Sequence, residues 1–469
     1  MTVNPAQRAA AQHPCAGEER QAPLIAPGVT SRNFTNQIAG TALRPDVPAF
    51  WFWLFTVAAA GACMFIIAVA ILLITGVGTM GNNIPVAWAY PITNYVWWIE
   101  IAVGGSLLSS ILYLLNQSWR NSINRIAEAV TLSGIACAGL FPLLHLGRPW
   151  IFYWLFPYPN TTSVQPQFRS PLVFDVFGIG TYATASVLFW YFGMIPDVAA
   201  LRDRARTQSA YRFYGILALG WRGGSRQWRL HEKASLLFAG IITPLVFTVH
   251  TVVSFDFAIS LLPGWHSTIF PPYFVDGAIL AGLSMVVALG IPMRAAFNLS
   301  NVITERHLNN LAKLILTTSV ILCYTYVIEP FTAWYSGDGF EMYTVHARAT
   351  GPFAWTYWTF IVLGLGVPQL LWFKQNRTRT KRLFLIALAV ITGMWVERYM
   401  LLTTSLSRDF VPSSWANFTH TAEDSALLYG SAGLFLTLFL LLVRVLPMVA
   451  IHEVRELLPS CKPGGGAAK

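Results

Sequence analysis

From residue 50 to residue 448 the chain is a succession of apolar runs, most of them about twenty residues or longer, joined by polar stretches. Runs of that length cross a bilayer as helices, because hydrocarbon leaves backbone N–H and C=O groups no partner but one another. The pattern predicts ten spans, at 50–77, 92–116, 124–146, 170–194, 234–262, 273–296, 309–331, 354–373, 382–405 and 426–448. Several contain Pro or Gly, which membrane helices tolerate. The expected fold is an all-α integral membrane protein. Its ten-span domain covers 50–450, between a polar tail at 1–49 and another at 451–469.

The joints differ in charge. Four Arg precede the first span, Arg120 and Arg125 follow the second, and seven Arg from Arg202 to Arg229 follow the fourth. Arg306 and Lys313 follow the sixth, and Lys374, Arg377, Arg379, Lys381 and Arg382 follow the eighth. The intervening joints hold Arg148, Arg169, Arg348 and Arg408. Lys and Arg gather on cytoplasmic loops, so both termini are expected in the cytoplasm, with odd spans running outward. The basic segment 195–233 is the one sizeable cytoplasmic loop, and its first part has helical spacing suited to the membrane surface. The outer loop 147–169 is rich in aromatics and Pro. It is too apolar to hang in water and should pack on the interface or beneath another protein.

Composition sharpens this picture. The chain is 55% hydrophobic and 11% charged, whereas a soluble domain carries about 25% charged residues. A water-facing surface is thereby excluded for most of the chain. The net charge of +10 resides largely in loops, so it speaks to orientation, and no nucleic-acid partner is expected. The first residues lack an apolar core and do not read as a signal peptide; they are expected to be disordered or laid on a partner. Cys15, Cys63, Cys137, Cys323 and Cys461 are scattered, without CxxC or CxxCH. No iron–sulfur cluster or c-type haem is expected on this chain, nor any metal site.

Ionisable groups inside a bilayer are costly and face the bundle interior. Sorted by depth, one group lies near the outer ends of the spans: His145, Asp175, Asp256, Asp276, Glu329, and Glu397 with Arg398. A deeper group holds Glu100, His250 and Glu128. With Tyr324 and Tyr326, and with Glu397 also counted in, it is the candidate proton path towards the cytoplasm. The bland readings are that Asp276 and Glu329 are interfacial, that Glu397–Arg398 is a structural pair, and that His250 is a hydrogen-bonded core residue.

The outer group suits a quinol. Oxidising a quinol removes two electrons and two protons, so the site needs an acceptor at each hydroxyl and access from the bilayer. A neutral His takes one proton and a buried carboxylate can take the other; His145 and Asp175 supply that catalytic pair. Arg148 or Arg398 would hold the acid ionised and steer the ring oxygens. Pro149 after Arg148 ends the helix, leaving His145 at a helix terminus. Haem is a poor fit: of nine His, only His250 is mid-span, so bis-His haems are not expected. Electrons must then leave to another subunit.

HLGRPW (145–150), followed by SPLVFD (170–175), resembles the membrane subunit of the polysulfide reductase (NrfD-like) family, and the resemblance covers nearly all of 40–455. It implies two four-helix bundles plus two peripheral helices, no bound redox group, and a quinone-reactive enzyme subunit docked to an iron–sulfur subunit on its outer face in the bacterial cytoplasmic membrane. SFDF (254–257) and GMWVERY (393–399) look most like the larger such subunit of alternative complex III. That further resemblance implies c-type haem subunits, a second NrfD-like membrane subunit, and quinol oxidation with possible proton translocation. Menaquinol is the common substrate implied, though no residue selects it over ubiquinol. By motif, His145 and Asp175 would bind quinol and accept protons, with Asp256 and Arg398 completing the pocket. A polysulfide-reductase-type molybdoenzyme anchor, a secondary transporter and a purely structural anchor are the alternatives. Transporters favour broken helices around a midplane site, and a structural anchor needs no intramembrane acids.

Overall fold

The computed structural model describes residues 23–44, 48–155 and 171–458. The expectations for 156–170 of the outer loop, and for the chain ends with Cys15 and Cys461, lie outside the described residues. Among the described residues there is no strand. Ten helices are long and apolar enough to cross a membrane. They are Ala49–Thr75, Tyr90–Leu114, Asn124–His145, Phe174–Arg202, Ser225–Ala258, Phe270–Ala296, Glu305–Ser336, Ala354–Trp372, Thr380–Ser407 and Ala422–Val445. All ten expected spans are present. The fourth and fifth extend well past their apolar parts, so the expected loop 195–233 shrinks to 203–224 and contains the surface helix Gln208–Leu217. Hydropathy marks only the length of helix that meets hydrocarbon, so these polar extensions were invisible to it.

Spans two to five form one four-helix bundle and spans six to nine a second. The second and sixth spans cross at the centre, where Gly104 meets Gly282 so closely that a Cβ on Gly104 would stand 2.6 Å from the Gly282 Cα. Small residues allow this approach, and dispersion between backbones then holds the bundles together. The first and tenth spans pair outside the first bundle through a second such contact, Gly61 on Gly433. The eighth span is irregular: an α-helix to Phe360, a π-helical turn over Ile361–Gly366 and a 3-10 stretch over Val367–Trp372.

Two segments expected as tails are tied to the membrane domain. The helix Ser31–Leu43 is capped by Thr30 and buries Phe34 and Ile38 completely. Just before it, the Ala26 N–H donates to the Asn301 carbonyl at 2.9 Å. At the other end, the helix Ile451–Glu456 docks beneath the first bundle. Apolar side chains spaced along otherwise polar segments anchor both.

Candidate functional site

The third span shows how the sequence places its terminal histidine. Its helix closes at Ala138, and a short helix Phe141–His145 follows. Pro142 has no N–H to continue the ladder, and Gly147 takes φ 64° to turn the chain. His145 therefore stands at a helix end, with its ring 6.0 Å from Trp88 and 6.2 Å from Tyr95. Its Nε2 is buried without a partner.

Tyr95 connects this histidine to the acids. Its side chain lies against Asp175, and Asp175 lies against Asp256. Asp175 is 6% exposed, and each aspartate has a buried Oδ1 without a hydrogen-bond partner. No cation pairs with either carboxylate among the described residues. Phe174, Phe177 and Phe255, close to these acids in the chain, are exposed on the surface of the bundle. The structure thus gathers His145, Tyr95, Asp175 and Asp256 at one end of the first bundle, with exposed Phe side chains beside them. Tyr95 and Trp88 were missed from sequence, because nothing in a Tyr or Trp near a span end distinguishes it from the ordinary aromatic belt.

Two expected members of this pocket stand elsewhere. Arg148 is exposed, with no contact to Asp175 or His145 among the described residues. Arg398 is buried deeper, between the bundles, ion-paired with Glu100 of the second span. At 1.5 Å per residue, Glu100 lies roughly 15 Å along its helix from Tyr90 and Arg398 roughly 14 Å from Ser407, so the two meet at one depth. Glu397, also expected in the outer group, pairs with Arg398 at 2.9 Å and accepts from the Tyr326 hydroxyl at 2.9 Å. Tyr326 in turn shares a 2.7 Å hydrogen bond with Tyr273. The Arg398 guanidinium lies 4.0 Å from the Phe274 ring centre, and His250 Nε2 is 3.8 Å from Glu100. This central cluster joins spans two, five, six, seven and nine.

The expected deep group divides. Glu100 and His250 belong to the central cluster. Glu128 instead accepts from Ser109 at 3.0 Å and pairs with Arg125 at 2.8 Å. Arg125 also pairs with Asp197 at 2.9 Å, close to the face that carries the basic loops. Tyr324 is 62% exposed and takes no part. Two residues on a helix are turned by about 200°, so Tyr326 faces inward where Tyr324 faces outward. Of the remaining acids, Asp276 is buried with Oδ2 unpartnered, and Glu329 is bound to Arg348 at 2.6 Å in a clamp that also holds the Gly264 carbonyl.

The basic face is knitted by charge. Asp197 accepts from the His452 backbone N–H at 3.1 Å and from its Nδ1 at 2.9 Å. Arg120 donates to Glu453 at 2.7 Å. Burial disfavours the His452 cation, but the charge of Asp197, its hydrogen bond and the charge of Glu453 together outweigh it and raise the histidine above its usual value. Burial likewise disfavours the Glu453 anion, and Arg120, His452 and Arg125 together outweigh it and lower the carboxyl. No cluster of metal ligands occurs among the described residues.

Ten membrane-length helices in two four-helix bundles and a peripheral pair, with cation-free acids at one end of the first bundle, define a multi-pass integral membrane protein. The family model described as Polysulphide reductase, NrfD, matches residues 76–408, which span both bundles and leave the peripheral pair outside. The chain belongs to that family. It is 26% identical over 330 residues to a putative dimethyl sulfoxide reductase membrane subunit of Halobacterium salinarum, covering 69% of this chain and 70% of that one. It is 20% identical over 399 residues to the Hdr-like menaquinol oxidoreductase integral membrane subunit of Archaeoglobus fulgidus, covering 81% and 90%. A selenate reductase subunit of Mesobacillus selenatarsenatis is 25% identical over 244 residues, covering 50% of this chain and 55% of that one.

Proposed function

We propose that this chain is the quinol-binding and quinol-oxidising membrane subunit of an electron-transfer complex. The observation that carries the reading is the group His145, Tyr95, Asp175 and Asp256, in which the buried Asp175 and the half-buried Asp256 face each other without a cation. Carboxylates so placed share a proton rather than both ionising, so the pair is a proton acceptor. His145, with its Nε2 free, is the other. A quinol entering past Phe174 and Phe177 gives one hydroxyl proton to each. Its two electrons pass to an iron–sulfur partner docked at that end, because the scattered Cys and the single mid-span His do not suggest a cluster or haem on this chain. The relative named as a menaquinol oxidoreductase subunit supports quinol as substrate and menaquinol as the first to try.

The basic loops favour a cytoplasmic location for both termini, which puts the quinol site on the outer side of a bacterial cytoplasmic membrane. The motifs SFDF and GMWVERY favour alternative complex III, with c-type haem subunits and a second NrfD-like chain. The relatives named as reductase subunits favour the other assembly, a molybdoenzyme anchor. Mass spectrometry of what co-purifies after gentle solubilisation separates the two. The central cluster of Glu100, His250, Arg398, Glu397 and Tyr326 is the proposed proton path inward; Glu100→Gln should then lower the proton-to-electron ratio of coupled vesicles.

The function itself is tested by quinol oxidation in the assembled complex carrying Asp175→Asn or His145→Gln. Loss of a positioned acid or base costs about 10²–10⁴-fold in rate. Unchanged turnover in both variants, with the complex intact, would overturn the reading.

A further inference from the structure

A second feature lies away from His145, Asp175 and Asp256. It is an open groove of about 470 Å³ on the basic half of the molecule, between the third, fourth and tenth spans. Ala136, Trp190, Met194, Leu441 and Leu446 line its walls, and Phe213 and Leu217 of the surface helix form its roof. Two tyrosines hold that roof in place: Tyr191 donates to the Leu217 carbonyl and Tyr214 to the Val445 carbonyl, each at 2.9 Å. The groove is a built feature of the fold, and its walls are almost wholly hydrocarbon and aromatic. Water gains no partners in such a space, which favours an apolar occupant.

Size and charge select the occupant. The volume is about that of a single turn of a transmembrane helix 10–12 Å across, so it offers a partner helix little to seat in. A flexible hydrocarbon chain fits. The roof helix and its lead-in carry Arg204, Arg206 and Arg212, against one acid, Asp203, which Arg202 engages at 2.8 Å. Arg206 and Arg212 are exposed and have no protein partner among the described residues. Basic pockets between helix ends at a membrane surface take anionic head groups. We propose that this groove binds an anionic phospholipid, one acyl chain lying along Ala136 and Leu441 and the phosphate meeting Arg206 and Arg212. The site is separate from the quinol group and does not depend on it.

The test is quantitative lipid analysis of the complex after exhaustive detergent washing, for wild type, Ala136→Trp and the double variant Arg206→Gln/Arg212→Gln. Ala136 is exposed in the groove wall, so Trp there fills space without displacing the core. The expected result is a near-stoichiometric anionic phospholipid, phosphatidylglycerol or cardiolipin, in the wild type. It should be lost in Ala136→Trp and retained several-fold less in the double arginine variant, which changes only surface charge and covers the case in which the Trp variant fails to assemble. Equal retention in wild type and double variant, retention of a quinone or only zwitterionic lipid, or a polypeptide cross-linked to Ala136→Cys in place of lipid would overturn the proposal.

Discussion

The two ends of the first bundle treat buried acids in opposite ways. At the basic end, Asp197, Glu128 and Glu453 each lie within 2.9 Å of an Arg, and Ser109, Asn124 and His452 occupy further oxygen sites. At the other end, Asp175 and Asp256 face each other and a phenol, with buried oxygens unpartnered and no cation beside them. Burying a charge is tolerated when it is paired and hydrogen-bonded, and is costly otherwise. The basic end therefore reads as architecture that fastens the chain termini to the bundle. The other end retains an unfavourable arrangement that stability alone does not explain, which is the mark of a site whose protons move. The central cluster stands between: two carboxylates share one guanidinium, and a tyrosine pair extends from one of them.

That contrast can be broken by experiment, beginning where the effect is largest. Asp175→Asn should lower quinol oxidation by about 10²–10⁴-fold while leaving thermal stability close to wild type, since it removes a charge that nothing compensates; kinetics and a melting curve on the same preparation check both halves. Arg125→Leu should do the reverse. It strands Glu128 and Asp197, and breaking a buried pair costs about 3–5 kcal/mol, which denaturant unfolding would show while residual folded complex kept its quinol turnover per site.

Smaller effects concern pH. His452 titrates above its usual value of about 6.5 because Asp197 holds its cation. Its contribution to docking of the helix Ile451–Glu456 is complete below that usual value and fades as pH rises through the higher folded one. Glu453, lowered by Arg120, contributes above the usual carboxylate value and fades as pH falls through its lower folded one. Protection of the amides in residues 451–456, measured as exchange relative to the intrinsic base-catalysed rate, should therefore be greatest between the two and fall towards alkaline pH, and His452→Gln should remove that alkaline fall in protection. The last contrast is on one helix: Tyr326→Phe should cost about 1.5–3 kcal/mol of stability through its lost hydrogen bonds to the Glu397 carboxylate and Tyr273, and Tyr324→Phe should cost nothing measurable.

Much of the fold was legible because hydropathy reports the dominant constraint on a membrane chain, its backbone satisfaction in hydrocarbon. The ten spans and the isolation of His145 before Gly147 and Pro149 follow from that rule and from local turn chemistry. The helix Ser31–Leu43 was not seen, since a mean over polar residues hides two buried side chains, Phe34 and Ile38. Nor did depth along a span give partners. His145, Asp175 and Asp256 come together as expected, but Arg398 points across the bundle interface to Glu100, and rotation about a helix cannot be read from its ends. Arg148, one turn from His145 in sequence, stays outside the site for the same kind of reason: the chain has already left the helix.

The most direct test is photolabelling of the assembled complex with an azido-quinone, followed by peptide mapping. The expected result is label on the peptides carrying Trp88 to Tyr95, Phe141 to His145 and Phe174 to Phe177, competed away by unlabelled menaquinol and diminished by Asp175→Asn. Label confined to the central cluster around Tyr326 and Glu397, or spread without competition over lipid-facing helices, would contradict the assignment of the quinol site to the cation-free acids.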